Sequence, residues 1–176
     1  AGFYAGGLVG YHGGLGAYTE QSYATGPVFG DQWVGGFAGG VDGLIRESFS
    51  TGRVTAGTPE RAGGFAGDWR MGTIANSYWN AETAGIAQSH AGSRPDVIPG
   101  LSTAQMMQEL SFAGWDFTET WDILPGQSYP YLEWRYPTAP HVVSGRLAEG
   151  FAPGTNVNVA SDGTVHFWMD AGANGS

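Results

Sequence analysis

A glycine-rich block recurs three times in the first half of the chain, and this internal repeat constrains the fold more than any other feature. It reads Gly-Gly-Leu-Val-Gly at residues 6–10 and Gly-Gly-Phe-Ala-Gly at residues 35–39 and 63–67. The successive copies therefore begin 29 and 28 residues apart. A period of this length indicates a repeat architecture, in which each unit buries its apolar side against its neighbours.

A second block follows each copy of the first. It reads Ser-Tyr-Ala-Thr-Gly at residues 22–26, Ser-Phe-Ser-Thr-Gly at residues 48–52 and, more loosely, Ser-Tyr-Trp-Asn-Ala at residues 77–81. Because both blocks recur in all three copies, chance similarity is an inadequate explanation. The doubled glycines permit tight bends and a close approach of stacked backbones.

Each unit predicts two short strands separated by glycine turns. Residues 44–45 and 48–49 fall in one such strand, and residues 73–74 and 77–78 fall in its counterpart. We expect a mainly β fold, a short β-solenoid of about 28-residue coils stacked about 4.8 Å apart. A small prism or a partial propeller would accommodate the same period.

The pairing of Gly-Gly-Leu-Val-Gly with Ser-Tyr-Ala-Thr-Gly at this period resembles the GLUG motif, over roughly residues 1–90. That repeat occurs in large secreted bacterial proteins, notably filamentous-haemagglutinin-like adhesins of two-partner secretion systems, and in some IgA-cleaving metalloproteases. The resemblance implies a β-repeat region in a secreted or surface-displayed bacterial protein, with adhesion as its expected role.

The remainder divides into two further segments. Residues 91–136 predict a capping segment with one short helix at residues 103–110, where Ser102 and Gln105 have capping-box spacing and Leu101 can pack on Met106. We expect its aromatic residues to cover the open end of the solenoid. Residues 137–176 predict the start of a small Ig-like β-sandwich that the chain does not complete, with strands at residues 142–147, 155–160 and 164–169.

Composition excludes several classes of function. The chain has 31 glycines in 176 residues, nine Phe, eight Tyr and seven Trp, so it combines flexible backbone with enough rings for a core. It has no cysteine and no lysine, which rules out disulfides, thiolate zinc sites, P-loops and Schiff bases. A net charge of −9 argues against a surface for nucleic acid. No apolar run is long enough to span a bilayer, and no secretion signal opens the chain. The first residues instead resemble the middle of the repeat pattern, so we infer a fragment of something longer.

An acidic and aromatic run between residues 115 and 134 is the best candidate for a binding site. Carboxylates hold sugar hydroxyls and flat rings stack on pyranose faces, so this mixture is typical of glycan recognition. The alternative is that the tryptophans form a core and the acids its solvated side, while a glycosidase pair would need a raised carboxyl pKa for which the sequence supplies no device. The candidate ligand-binding residues are Trp115, Asp116, Trp121, Asp122, Glu133 and Trp134.

Three weaker candidates concern single residue types. Aromatics near related turns predict a stripe along one side of the solenoid, or else packing between coils; they are Tyr11, Trp33 and Trp69. Acids in glycine-rich turns could hold a structural calcium ion; they are Asp31, Asp42, Asp68 and Asp162. The histidines are scattered singly and favour surface or packing roles; they are His12, His90, His141 and His166.

These features together predict a non-catalytic structural or adhesive module, without a cofactor or bound metal, that forms a rigid stalk or a binding surface. The alternative is an accessory module, which could bind carbohydrate, of a large secreted hydrolase or protease. The expected partners are a host or neighbouring-cell glycan or protein and the rest of a larger polypeptide, with neither nucleic acid nor membrane insertion. We expect a monomer if the cap covers the open end, and end-to-end self-association if it does not.

Overall fold

A computed structural model describes residues 3–14, 16–94 and 97–136. The described chain is mainly β, which confirms the predicted class. The predicted sandwich strands of residues 137–176 lie outside the described residues. Each of the first two repeat copies forms five strands of two to four residues, which are the following ten: β1 (Ala5–Gly6), β2 (Val9–His12), β3 (Tyr18–Glu20), β4 (Tyr23–Ala24), β5 (Val28–Gly30), β6 (Val34–Gly35), β7 (Ala38–Val41), β8 (Leu44–Arg46), β9 (Phe49–Ser50) and β10 (Val54–Ala56).

The rest of the chain contains seven more strands in the described residues. The third copy provides four of them, and three follow later in the chain. A 3₁₀ turn (Pro59–Arg61) precedes the strands of the third copy, and a second one (Glu109–Ser111) follows the α-helix. The elements are β11 (Ala62–Gly63), β12 (Ala66–Trp69), β13 (Thr73–Ala75), β14 (Tyr78–Asn80), β15 (Gly100–Leu101), α1 (Thr103–Met106), β16 (Trp121–Asp122) and β17 (Tyr131–Leu132).

Equivalent strands of the three copies lie side by side, parallel and in register. Ala5 pairs with Val34 and Val34 with Ala62, so the sheet follows the spacing of the glycine-rich blocks. The same order holds for the other strand positions of the copies. The parallel sheets are β1-β6-β11, β2-β7-β12, β3-β8-β13, β4-β9-β14-β15 and β5-β10, and β16 and β17 form an antiparallel pair. We refer to residues 3–30, 31–56 and 57–80 as the first, second and third copies, and to their assembly as the stack.

The structure corrects the prediction of two strands per unit. Residues 44–49 do not form one strand, because Glu47 takes a left-handed backbone conformation (φ 48°) between β8 and β9. Gln21 and Asn76 take the same conformation at the equivalent positions of the other two copies. The chain therefore turns a corner there in every copy, and in the second and third copies the corner divides a predicted strand in two.

The glycines of the first block are required by backbone contact between and within copies. A Cβ atom on Gly35 would lie 2.0 Å from the carbonyl oxygen of Ala38 and 2.5 Å from the nitrogen of Gly67 in the next copy. A Cβ on Gly36 would lie 2.1 Å from the carbonyl oxygen of Gly64. Backbone atoms cannot move aside as a flexible side chain can, so these positions admit no side chain.

The serines of the second block form a hydrogen-bonded ladder through the stack. Ser48 is fully buried, and its hydroxyl donates to the Arg46 carbonyl (2.8 Å) while accepting from the Ser22 amide (3.3 Å). Ser77 repeats both contacts, donating to Ala75 (2.9 Å) and accepting from the Ser48 amide (3.3 Å). One hydroxyl thus satisfies polar backbone groups at a corner and in the neighbouring copy, which explains why serine recurs there.

Large apolar side chains fill the interior between the sheets. Phe37 and Phe65 occupy the same repeat position, and their rings stack with centroids 4.8 Å apart. Trp79 closes the interior from the opposite wall, where its Nε1 donates to the Ile98 carbonyl (3.0 Å). Residues 86–94 and 97–101, here called the fourth layer, continue the hydrogen bonding beyond the third copy, because Phe65 donates to Ser89 and Trp79 donates to Pro99.

Residues 102–136, here called the side cover, pack against one flank of the stack. They do not close its end as predicted, because their rings contact Tyr23, Phe49 and Tyr78, the outward-facing members of β4, β9 and β14. Successive strand residues point to opposite faces, so these three aromatics leave the interior and need a separate cover. Helix α1 ends at Met106, four residues earlier than predicted, but its predicted capping box is confirmed.

Candidate functional site

The predicted acidic and aromatic run separates into an inner and an outer half. Trp115 and Trp121 form the inner half, with stacked rings whose centroids are 4.4 Å apart. Trp121 is fully buried and packs on Phe49 (6.0 Å), while the Trp115 Nε1 donates to the Asn76 carbonyl (2.7 Å). These two tryptophans join the side cover to the stack, and their faces are occupied by other rings.

Asp116 organises the turn that follows Trp115. Its carboxylate accepts hydrogen bonds from the Thr118 hydroxyl (2.6 Å) and from the backbone amides of Thr118 (2.8 Å) and Glu119 (3.3 Å). These donors favour the charged form and lower the pKa of Asp116, with the Thr118 hydroxyl as the largest cause. The Asp116 carboxylate thus hydrogen-bonds within its own turn, and this turn positions Thr118 and Glu119.

Asp122 links the paired strands β16 and β17 through a side-chain hydrogen bond. Its carboxylate accepts from the Tyr131 hydroxyl (2.5 Å), a residue on the facing strand. Burial, and then this hydrogen bond, raise the pKa of Tyr131 to about 12. The pair fixes the two short strands against each other.

Glu133 and Trp134 form the outer half and face solvent. They line a shallow depression of about 470 Å³ with Thr118 and Glu119. The Glu133 amide donates to the Thr120 carbonyl (3.1 Å), which holds the end of β17 beside the Asp116 turn. Trp134 is 74% exposed, so its indole face is available to a ligand.

The depression combines one flat apolar surface with two carboxylates and a hydroxyl. An aromatic face can stack on the apolar side of a sugar ring, and carboxylates accept hydrogen bonds from hydroxyls. Of the six residues selected from the sequence, the structure brings Glu133 and Trp134 to this site. The other two lining residues, Thr118 and Glu119, are not among the six; the Asp-x-Thr-Glu order at residues 116–119, which predicts an Asx turn, is the sequence signal for them.

The predicted aromatic stripe is wrong. The register pairs Gly40 with both Tyr11 and Asp68, and it pairs Val41 with both His12 and Trp69. Tyr11 and Trp69 therefore occupy different repeat positions, and Trp33, which precedes Val34, occupies a third. Trp69 lies in the interior, while the Trp33 ring contacts the guanidinium groups of Arg61 (5.2 Å) and Arg70 (5.3 Å).

Two of the acids considered for calcium have other side-chain contacts. Asp68 is buried and accepts from Arg70 Nε (3.0 Å), and Asp42 accepts from the Tyr11 hydroxyl. Among residues 3–14, 16–94 and 97–136, no three His, Asp or Glu side chains are grouped so that they could hold a metal ion. Asp31 is the third described acid of the set, while Asp162 lies outside the described residues.

The two described histidines have packing positions. His12 is buried beside β3, with Nε2 2.9 Å from the Thr19 hydroxyl. The His90 ring packs edge-on against Trp69 at 5.1 Å, with Nδ1 3.0 Å from the Ser89 hydroxyl. Both side chains contribute to the ends of the interior, and His141 and His166 lie outside the described residues.

Comparison with known proteins gives one distant relative. The chain is 31% identical over 105 residues to a protein of Evansella cellulosilytica that is provisionally named as a Gly-rich membrane protein. The match covers 56% of this chain but 11% of the length of that protein. No family model matches the chain, and no solved structure matches it. None of the helices in the described ranges is long and apolar enough to cross a membrane.

Proposed function

We propose that residues 3–14, 16–94 and 97–101 form a short β-solenoid that serves as a rigid, non-catalytic structural module of a secreted or surface-displayed bacterial protein. The observation that carries this proposal is the parallel, in-register pairing of equivalent residues from three copies of one repeat. Such a stack transmits force through backbone hydrogen bonds along its length and needs no flexible joint between its units.

Three further observations support this role. The GLUG-like blocks supply the glycines and serines that the contacts between copies require, as expected of a secreted adhesin repeat. The distant relative is named as a membrane protein, which supports a location at the cell surface. This chain spans about a tenth of that relative, so we propose that it works as one module of a larger polypeptide.

Hydrogen exchange on the purified chain tests the structural role. In a cooperative stack, the amides of Phe37 and Phe65, which donate to the next copy and to the fourth layer, exchange through the same opening reaction. We expect the free energies of opening obtained for these two amides to agree and to fall together in denaturant. Rapid exchange at Phe37 beside a protected Phe65 would show that the copies open independently, which contradicts a rigid module.

A second role, carbohydrate binding, is favoured by the depression at Trp134. If the chain binds carbohydrate, the stack supports the side cover that carries the depression. The chain would then be either the tip of an adhesin or an accessory module of a secreted hydrolase or protease. The chemistry of the lining residues is that of a lectin-like subsite, since Glu119, Glu133 and Thr118 surround an exposed indole. We assign no bond cleavage to this site.

A glycan array probed with the purified chain and the Trp134→Ala variant tests the binding role. The exposed Leu110→Ala variant is the matched control, because Leu110 is 99% exposed and does not line the depression. We expect signals that Trp134→Ala loses and Leu110→Ala keeps. A blank array from folded protein would leave the structural role and remove the carbohydrate role. Trp121 is unsuitable for this comparison, because its substitution would disturb the packing of the side cover.

A further inference from the structure

Asn80 departs from the repeat at the point where the side cover meets the stack. The second block carries threonine at residues 25 and 51, and Asn80 stands at the same position of the third copy. Asn80 is fully buried, and its side chain joins the end of β14 to the start of α1. The chain has neither cysteine nor lysine, so a covalent attachment of the side cover to the stack would need another nucleophile, such as a hydroxyl.

The carboxamide of Asn80 is held at both of its polar atoms. Its Oδ1 accepts hydrogen bonds from the backbone amides of Glu82 (2.9 Å) and Thr83 (3.1 Å). Its Nδ2 donates to the Thr103 hydroxyl (3.0 Å) and to the Tyr129 hydroxyl (3.1 Å). Two amides that converge on a carbonyl oxygen stabilise the negative charge that develops there when a nucleophile attacks the carbonyl carbon. The arrangement therefore favours attack on Asn80 Cγ.

Glu82 places a base beside the Thr103 hydroxyl. Glu82 Oε2 accepts from the Thr103 backbone amide (2.9 Å), and this amide and then the Thr103 hydroxyl lower the pKa of the Glu82 carboxyl. The Glu82 carboxylate is therefore charged at neutral pH, and a weakly nucleophilic hydroxyl needs such a neighbouring base. Thr103 Oγ1 lies 3.0 Å from Asn80 Nδ2, the atom bonded to the carbon that the oxygen would attack.

We propose that Thr103 and Asn80 form an ester bond that joins the side cover to the stack. Thr103 Oγ1 gives its proton to the Glu82 carboxylate and attacks Asn80 Cγ, and the two backbone amides stabilise the charge on Oδ1. The bond from Cγ to Nδ2 then breaks, its electron pair leaves with the nitrogen, and the proton returned by Glu82 completes a molecule of ammonia. The reaction needs no oxidant and no other reactant.

The ester adds a covalent bond to the proposed structural role. It would close a loop between residues 80 and 103, which restricts the unfolded chain in the way that a disulfide does. Because Asn80 is fully buried, the folded chain shields the ester carbon from water and so from hydrolysis. The side cover would then stay attached to the stack even where its packing is lost.

Mass spectrometry of the purified chain, incubated at neutral pH until its mass no longer changes, tests the proposal. We expect a mass lower than that of the sequence by one molecule of ammonia. Because succinimide formation at an asparagine releases the same molecule, the deciding observation is a linked peptide. Digestion with a protease that cleaves between residues 80 and 103 should yield one peptide pair joined through these two residues, and hydroxylamine should separate it.

Four variants, each checked for folding by circular dichroism, assign the reacting groups. Thr103→Val removes the nucleophile and should give no link, whereas Thr103→Ser keeps a hydroxyl and should form it. Thr118→Val removes an exposed hydroxyl elsewhere in the side cover and should also form the link. Glu82→Gln keeps a hydrogen-bond acceptor but loses the base, so the link should form about a hundredfold more slowly.

Two results would overturn the proposal. A chain that keeps its full mass and yields no linked peptide would show that these groups act through hydrogen bonds alone. A peptide linked through Tyr129 instead would mean that the other neighbouring hydroxyl attacks Asn80. Neither result affects the structural role of the stack, because the protection of the Phe37 and Phe65 amides tests that role whether or not the link forms.

Discussion

The stack and the side cover are stabilised in different ways although they belong to one compact unit. In the stack, neighbouring copies meet through backbone atoms, and glycines such as Gly35 and Gly36 bring them into direct contact. In the side cover, the short strands β16 and β17 contribute little, and the rings of Phe112, Trp115 and Trp121 provide the contacts. The contacts between copies in the stack depend on glycines, which have no side chain, whereas the contacts of the side cover depend on large aromatic side chains.

This difference explains how the two regions fit together. In the stack, Phe37 and Phe65 lie in the interior, whereas Tyr23, Phe49 and Tyr78 lie on a flank. The side cover buries that flank, and Asn80 fastens it by donating to the Thr103 hydroxyl (3.0 Å) and to the Tyr129 hydroxyl (3.1 Å). A repeat of small residues thus specifies the path of the backbone, while a non-repeating aromatic segment supplies additional apolar burial.

The largest expected effect comes from adding a single methyl group to the stack. Gly35→Ala places a Cβ 2.0 Å from the Ala38 carbonyl oxygen, so we expect a loss of at least about 3 kcal/mol in the free energy of unfolding, or failure to fold. Gly26→Ala is the matched control, since nothing lies within 4 Å of its Cβ, and it should change stability by less than about 0.5 kcal/mol. Urea unfolding followed by circular dichroism measures both. Equal effects would mean that the copies are not in close contact.

Removing a large ring from the side cover should have the next largest effect. Trp121 is fully buried against Phe49, Trp115 and Tyr23, so Trp121→Ala should cost about 3 kcal/mol or more. Trp134→Ala, at the exposed end of the same segment, should cost less than about 0.5 kcal/mol. Hydrogen exchange distinguishes the two regions, because Trp121→Ala should speed amide exchange in the side cover while the Phe37 amide in the stack stays protected. If the Phe37 amide lost its protection as well, the stack would depend on its cover.

The sequence predicts the stack better than the cover because the stack repeats. The glycine and serine blocks reveal which residues become neighbours, and the pairing of Ala5, Val34 and Ala62 follows their spacing. The capping box at Ser102 is equally predictable, since it depends on residues three positions apart. The corners at Gln21, Glu47 and Asn76 are not, because strands of two to four residues are too short to display an alternating pattern.

The candidate site is predictable in composition but not in position. Trp121 and Trp134 look alike in the sequence, yet one is buried and the other is exposed. Their difference arises from the flank of Tyr23, Phe49 and Tyr78, which receives the first ring and not the second. The Ser-Tyr and Ser-Phe pairs in the second block were the available signal for this flank, because alternation directs the aromatic outward when the serine faces in.

An alkaline titration should act on the side cover through Tyr131. Its pKa is raised from 10.0 to about 12 by burial and by the hydrogen bond to Asp122, so the folded state favours the neutral phenol. This contribution to stability, at most on the order of 2–3 kcal/mol, is complete below about pH 10 and is lost as the pH rises toward 12. Unfolding free energies measured across this window should fall less steeply for Tyr131→Phe than for the unmodified chain. Identical slopes would mean that Tyr131 titrates alike in both states.

The smallest effect concerns the serine ladder and distinguishes copies within the stack. Ser48→Ala removes a buried hydroxyl that serves both the Arg46 carbonyl and the Ser22 amide, so a loss of about 1–2 kcal/mol is expected. Ser22→Ala removes a partly exposed hydroxyl whose described contact is with the Glu20 carbonyl, so about 0.5 kcal/mol is expected. Urea unfolding of the two variants under the same conditions measures the difference. Equal losses would mean that each serine stabilises its own corner, and that the hydroxyl contact between copies adds nothing to the backbone pairing.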